Sequence, residues 1–291
     1  MEPELPSVFR VDATGGAGLT YEQTRSAGFV TPPRGVRVTS DAPPGADVVA
    51  RTASTGCVDG AVVTGLTAAR LWRMPLPPWT NNRDVAVAVR PGEAHPRRRG
   101  VRGRRLRLPD GHVTGISGVL VTTPARTWLD CAAEVPDEYV IAMGDDVLRR
   151  NLTSTDELRS LLHWGYRRRG VAVARRAFPL LDAASASPGE SLIRAHLLRE
   201  GIPRPECNID IVVAGEWLAR GDLGWREYRI VLEYDGLVHL DERQRRHDAQ
   251  RRNLLQQRGW IVITATAADL RQPWILAGQV LAALRSRGWR P

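Results

Sequence analysis

The chain has 291 residues and is 43% hydrophobic, long enough for two domains with ordinary cores. No apolar run reaches the length of a bilayer, and the start, "MEPELPSVFR", lacks the charged-then-apolar layout of a secretory signal; both predict a cytoplasmic protein with no membrane partner. The net charge is +9 and all 41 basic residues are arginine, which excludes Schiff-base, P-loop and general-base lysines and makes nucleic acid the leading partner, because the guanidinium fork matches phosphate oxygens.

Cys57, Cys131 and Cys207 are odd in number and far apart, the pattern of neither a disulfide framework nor a zinc site. "GGAG" (15–18) lacks the strand-then-helix context of a nucleotide loop. "LTYEQTRSAG" (19–28) predicts a short helix from Thr20, stopped by Gly28. "RGVRVTSD" (34–41) reads as a strand, "GAVVTGLTAARLWRM" (60–74) as a helix ended by prolines, and "RDVAVAVRP" (83–91) as a strand. Arginines 97, 98, 99, 102, 104, 105 and 107 form a dense basic run, read either as a solvated face or as a DNA-contacting arm. "VLVTTPARTWLDCAAEV" (119–135) predicts a strand, a turn at Pro124 and a helix. "DEYVIAMGDDVLRR" and "TSTDELRSLLHWGYRR" predict two more helices, with the Asp145–Asp146 pair on the surface.

The small-residue stretch "DAASASPG" (182–189) separates this part from a more regular one. A helix is expected over 188–200, strands at 207–213, 217–224 and 229–235, an arginine-rich helix at 242–257, a strand at 260–266 and a helix at 273–287. The order is α-β-β-β-α-β-α, with 242–257 as the crossover to the last strand. The chain is thus α/β (α+β): a winged-helix-like module over 1–75, a small α+β region over 76–181, and an α-β-β-β-α-β-α core with a mixed sheet over 182–291.

That core carries the residues suited to chemistry. Side chains alternate along a strand, so Glu233 and Asp235 share a face with Val231. Asp222 points opposite to Leu223, and an antiparallel meander turning near Arg226 and Glu227 places it beside 233–235. Glu190 precedes Ile193 by one turn and Leu197 by two, on the core-facing side of its helix. Four carboxylates therefore converge, and buried carboxylates need neutralising. A hard divalent cation does this with oxygen ligands: Mg²⁺ or Mn²⁺ held by Asp222 and Glu233, with Glu190 and Asp235 assisting. His239 is placed to shuttle a proton. Arg243, Arg245, Arg246, Arg251 and Arg252 supply phosphate contacts from the adjoining helix. Simpler readings stand beside these. Ser187, Pro188 and Glu190 also spell a helix cap, Asp222 also has Arg220 and Arg229 as pairing partners, and His196 and His247 read as structural or solvated.

The motifs "SPGESLIRAHLLREGIPRP" (187–205), the Asp222 strand, "VLEYDGLVH" (231–239), the Asp248 to Arg251 spacing and "QQRGWIVITAT" (256–266) resemble, in order, the Vsr-like branch of the PD-(D/E)XK nuclease superfamily, named after very-short-patch-repair endonucleases. The resemblance covers nearly all of 187–285 and implies a restriction-endonuclease-like fold, a divalent metal and DNA as substrate. The superfamily's usual lysine, two residues after the acid, is here Asp235. The Vsr-like branch often has E-x-D-G-x-x-H at this place, matched by Glu233, Asp235, Gly236 and His239, and His239 is the candidate general base. "LTYEQTRSAGF", "TAARLW" (67–72) and "VTTPARTWLD" (121–130) are similar to abortive-infection (AbiEi-type) antitoxins, which implies an antitoxin-like domain over 76–181 after a winged helix. Two functions follow. One is a metal-dependent DNA endonuclease in repair or phage defence. The other is a DNA-binding antitoxin or regulator whose nuclease fold is inactive. A cognate toxin and a second copy of the chain are further partners to consider.

Overall fold

Valine and alanine alternate over residues 85–89, and all five are buried, because this strand lies inside a sheet with both faces covered. The computed structural model divides the chain into two units, residues 1–135 with 156–172 and residues 136–155 with 173–291. It describes residues 8–10, 20, 22–25, 29–30, 36–39, 60–80, 84–93, 101–116, 119–236 and 242–290, with the backbone alone at 8–10, 24, 29–30, 36–39 and 242–248. No described helix is long and apolar enough to cross a membrane.

In the first unit, β1 (Val8–Arg10), β2 (Phe29–Val30) and β3 (Val36–Thr39) form an antiparallel sheet in the order β1-β3-β2. Thr20 and Gln23 cap each other: Thr20 N–H donates to Gln23 Oε1 at 2.7 Å and Gln23 N–H to Thr20 Oγ1 at 3.3 Å. Only a 3₁₀ turn, Gln23–Arg25, is described within the helix expected over 19–28. Most residues behind the winged-helix expectation, with "GGAG" (15–18), lie outside the described residues.

The expected helix over 60–74 starts later. β4 (Val62–Val63) comes first, and α1 (Gly65–Leu71) follows. The valines pair with Ala88 and Val87 across the sheet, and Gly65 at φ +55° takes a left-handed backbone that separates strand from helix. β5 (Val85–Val89), β6 (Val101–Arg105), β7 (Val113–Ile116) and β8 (Val119–Thr122) complete a mixed sheet in the order β6-β5-β4-β8-β7. β6 gives part of the basic run a regular place, with Arg102, Arg105 and Arg107 exposed to solvent. It pairs parallel to β5, and Arg102 and Arg104 lie 3.6 and 3.0 Å from Glu134. Arginines 97, 98 and 99 are outside the described residues. α2 (Pro124–Cys131) opens as expected, with Pro124 at its start and Thr123 Oγ1 accepting the Arg126 N–H at 3.4 Å, an N-cap.

α3 (Asp137–Arg149) belongs to the second unit. Its Asp145 and Asp146 are 1% and 6% exposed, which overturns their expected place on the surface. Asp145 accepts from buried Arg194 at 2.6 Å and from the Asp182 N–H at 2.7 Å. Asp146 holds Arg149 and Arg150. α4 (Thr155–Trp164) and α5 (Val171–Ala177) follow.

The remaining elements are α6 (Pro188–Arg199), β9 (Glu206–Val213), β10 (Glu216–Trp225), β11 (Ile230–Asp235), α7 (Glu242–Gln257), β12 (Ile261–Thr266) and α8 (Pro273–Ser286). The element order is the expected α-β-β-β-α-β-α. The sheet runs β12-β11-β10-β9, antiparallel except for the β11·β12 pair. One face packs Leu223, Ile230 and Leu232 against Ile193 and Leu197 of α6 and Val280 and Leu284 of α8. The other packs Ile209, Ile211 and Val231 against Leu255 of α7. Alternation along β11 thus sends its even residues to α6 and α8 and its odd residues to α7.

Candidate functional site

Strands β10 and β11 part at one end. They pair at Trp225↔Ile230, Gly224↔Val231 and Leu223↔Leu232. Beyond that pair, one residue along β10 and two along β11, the Tyr234 N–H donates to the Asp222 carboxylate, Oδ2, at 2.6 Å, so a side chain takes the place of a main-chain acceptor. β11 stays paired with β12 through Asp235↔Thr266, and β10 stays paired with β9 through a bulge near Trp217. Gly221 permits the divergence at close quarters: a Cβ there would lie 2.0 Å from Val231 Cγ2.

A cavity of about 230 Å³ opens where the strands part. Asp222, Glu233 and Asp235 line it, with Arg220, Arg251 and Arg252. Glu233 follows Val231 on the α7 side of the sheet, and its Oε1 lies 3.0 Å from Arg251 Nη2. Burial raises the Asp222 pKa, and the Tyr234 N–H and the Arg251 charge oppose that shift. Arg220 is held by both oxygens of Asp210, at 3.0 and 3.1 Å, which answers the expectation that it pairs with Asp222. Arg252 Nε is buried and meets no acceptor among the described residues.

Glu190 does not line this cavity. It is 7% exposed, and its Oε2 accepts the Ala186 N–H at 2.8 Å while its own N–H donates to Ser187 Oγ at 3.2 Å. These bonds are the helix cap. Burial raises the Glu190 pKa, and the Asp222 charge adds to the shift, so the two carboxylates sense each other. His239 lies outside the described residues, and so do the side chains of Arg243, Arg245, Arg246 and His247. His196 is buried in α6, and burial lowers its pKa. Burial also pushes the Cys207 thiol up to about 12, far from a nucleophile's range.

The possible ligands facing the cavity are oxygens, the carboxylates of Asp222, Glu233 and Asp235 with the Thr264 hydroxyl, which suits a hard cation. Among the described residues no three His, Cys, Asp or Glu groups form a ready-made metal cage. Asp222 and Glu233 together fit the sparser Mg²⁺ pattern of one or two carboxylates completed by water and phosphate. Residue types and strand alternation pointed to the acids. Thr264 on β12 was missed, and its only signal is its register opposite Glu233.

No family model matches the chain. It is similar to two Mycobacterium tuberculosis proteins, "Uncharacterized protein MT2308" of strain CDC 1551 / Oshkosh and "Uncharacterized protein Rv2248" of strain ATCC 25618 / H37Rv. Each is 29% identical over 167 residues, 57% of this chain and 62% of the relative. The chain therefore matches less than two thirds of the length of these curated relatives.

Proposed function

We propose that the second unit is a metal-dependent DNA endonuclease that hydrolyses phosphodiester bonds, acting in the cytoplasm in repair or phage defence. The observation that carries this reading is the convergence of Asp222, Glu233 and Asp235 on one cavity that Arg251 and Arg252 also line. The α-β-β-β-α-β-α order and the mixed sheet support the Vsr-like reading of residues 182–291, as the capped helix over Pro124–Cys131 supports the AbiEi-type reading of the region before it. Asp222 and Glu233 would hold Mg²⁺ or Mn²⁺, which supplies neutralisation of charge building on a phosphate and an acidified water. Asp235 stands at the cavity mouth, where the lysine of the wider superfamily would lie. Arg251 and Arg252, with Arg243, Arg245 and Arg246 of the same helix, would hold backbone phosphates.

A second reading has an observation of its own. Glu233 already has a counter-charge in Arg251, so its carboxylate is stable without a metal. That favours a DNA-binding antitoxin or regulator, with a toxin or a second copy of the chain as partner. Supercoiled plasmid, incubated with Mg²⁺, Mn²⁺ or EDTA, separates the two. The endonuclease reading expects metal-dependent nicking or linearisation that is lost in Asp222→Ala/Glu233→Ala. No cleavage under any metal, with DNA binding intact in both proteins, overturns it in favour of the second.

A further inference from the structure

The first unit holds a second polar site, independent of the reading above. On α2, Arg126 and Asp130 are four residues apart and meet on one face. Arg126 Nε lies 2.9 and 3.0 Å from the two Asp130 oxygens. Thr64 occupies the N-cap position of α1, yet its hydroxyl serves Asp130 instead, donating to Oδ2 at 2.9 Å. Asp130 is thus already matched by one guanidinium and one hydroxyl.

Arg126 itself is wholly buried. Its Nη1 donates to the Arg107 carbonyl at 3.2 Å and to His112 Nδ1 at 3.1 Å, while its buried Nη2 meets no acceptor among the described residues. Burial, aided by the Arg126 charge and opposed by the Asp130 charge, lowers the His112 pKa. Arg168 stacks on the Trp164 ring at 4.7 Å, and Arg126 lies 4.8 Å from the same ring. Arg168 reaches Asp130 only at 4.0 Å. Burial, with the nearby Arg126 charge, lowers the Arg168 pKa, and the Asp130 charge opposes that shift.

A cavity of about 180 Å³ opens among Thr64, Arg104, Asp130, Arg168 and Arg169. Arg104 is shared with Glu134 at 3.0 Å, and Arg169 is exposed with no partner among the described residues. Arg102 and Arg104 thus reach Glu134, Arg126 and Arg168 reach Asp130, and Arg169 lines the same cavity. A solvated face spreads its charges apart. Here an aromatic ring, a capped helix and a strand hold them together around a concavity, an arrangement relieved by an anion. The planar fork of arginine suits phosphate oxygens.

We propose that this cavity is a phosphate-binding site in which Arg104, Arg168 and Arg169 take the phosphoryl oxygens, while the Arg126–Asp130–Thr64 cluster holds the wall in place. The phosphate comes either from a nucleic-acid backbone or from a free phosphorylated small molecule.

Titration calorimetry with inorganic phosphate, at constant ionic strength with chloride as the control, tests it on the full chain. Wild-type protein is expected to bind phosphate, and Arg168→Gln/Arg169→Gln to bind it at least about tenfold more weakly, since hydrogen bonds to charged groups contribute that much each. Arg169→Gln alone keeps the test decisive if the double variant has a lower unliganded Tm, because Arg169 supports nothing else. Repeating the titrations with a 5′-mononucleotide and a duplex oligonucleotide separates the sources. Duplex affinity that falls in the variants assigns the site to a nucleic-acid backbone; duplex affinity unchanged, with mononucleotide binding lost, assigns it to a free phosphate ester. No binding of phosphate by wild-type protein, or equal binding by wild type and variants, overturns the proposal.

Discussion

Asp222 and Tyr234 are joined side chain to backbone, the Tyr234 N–H donating to the Asp222 carboxylate at 2.6 Å. The bond stands just beyond the last paired residues, Leu223 of β10 and Leu232 of β11. It lets the strands part without orphaning the Tyr234 N–H, a group that is costly to bury alone. It also fixes the Asp222 carboxylate on the wall of the cavity, within reach of the Arg251 charge. Tyr234 itself points the other way, into the α6 and α8 core, where it fills the space a side chain at Gly189 would need.

This geometry sets a pH dependence. Asp222 and Glu190 both have raised pKa values, and burial is the first cause for each. Between the ordinary carboxyl pKa of about 4 and the raised values, the folded protein binds more protons than the unfolded chain. Stability therefore falls as the pH rises through that window. Asparagine at 222 keeps an acceptor for the Tyr234 N–H and buries no charge. Asp222→Asn is expected to melt above wild type at neutral pH in metal-free buffer, with the gap narrowing as the pH approaches about 4. Calorimetric melting across this range checks it. A variant that melts below wild type at neutral pH would show that partners, not burial, dominate at Asp222.

Gly221 tests the parting of the strands directly. An added methyl there meets Val231 Cγ2 at 2.0 Å and Ile209 Cγ2 at 3.6 Å, and a β-branched valine has little room to turn aside. Gly221→Ala is expected to lose about 1–3 kcal/mol, the usual cost of overpacking. Val231→Ala in the same chain should recover part of the loss, a coupling that a double-mutant cycle in urea measures. Additive effects of the two substitutions would rule out the close approach.

The Asp145–Arg194 pair gives a third test. Its side chains are 1% and 0% exposed and lie 2.6 Å apart. Arg194 Nη1 also donates to the Leu180 carbonyl at 2.6 Å. Asp145→Ala strands a buried guanidinium and is expected to cost about 3–5 kcal/mol, while Asp145→Leu/Arg194→Met should recover most of it, because apolar replacements leave no charge unpaired. Equilibrium urea unfolding reports both. If the double variant is as unstable as Asp145→Ala, the pair holds α3 and α6 by geometry that apolar packing cannot supply.

What the sequence determined by itself is local. Ser187-Pro188 and Thr123-Pro124 announce helix starts because a hydroxyl cap and a fixed proline φ act within one turn. The apolar run Ile230–Leu232 and the crossover helix after it give the order of the second unit's elements. Strand alternation puts Glu233 and Asp235 on one face, so most of the candidate site was legible. What only the tertiary structure decided is partnership. Asp145 and Asp146 have the composition of a solvated helix end, and they are buried because Arg194, 49 residues later, is brought against Asp145. The arginine run around 102–105 reads as a solvated face or a DNA-contacting arm, and it is a strand because β5 offers it a ladder, with Glu134 offering Arg102 and Arg104 a carboxylate. Whether Glu190 faces a metal or a cap depends on the chain's entry at Ala186, and Glu233 has its counter-charge because α7 docks on the odd face of β11. Backbone preference and side-chain alternation act over a few residues and are written in order along the chain. The neighbour that satisfies a buried charge arrives from a distance, and packing alone selects it.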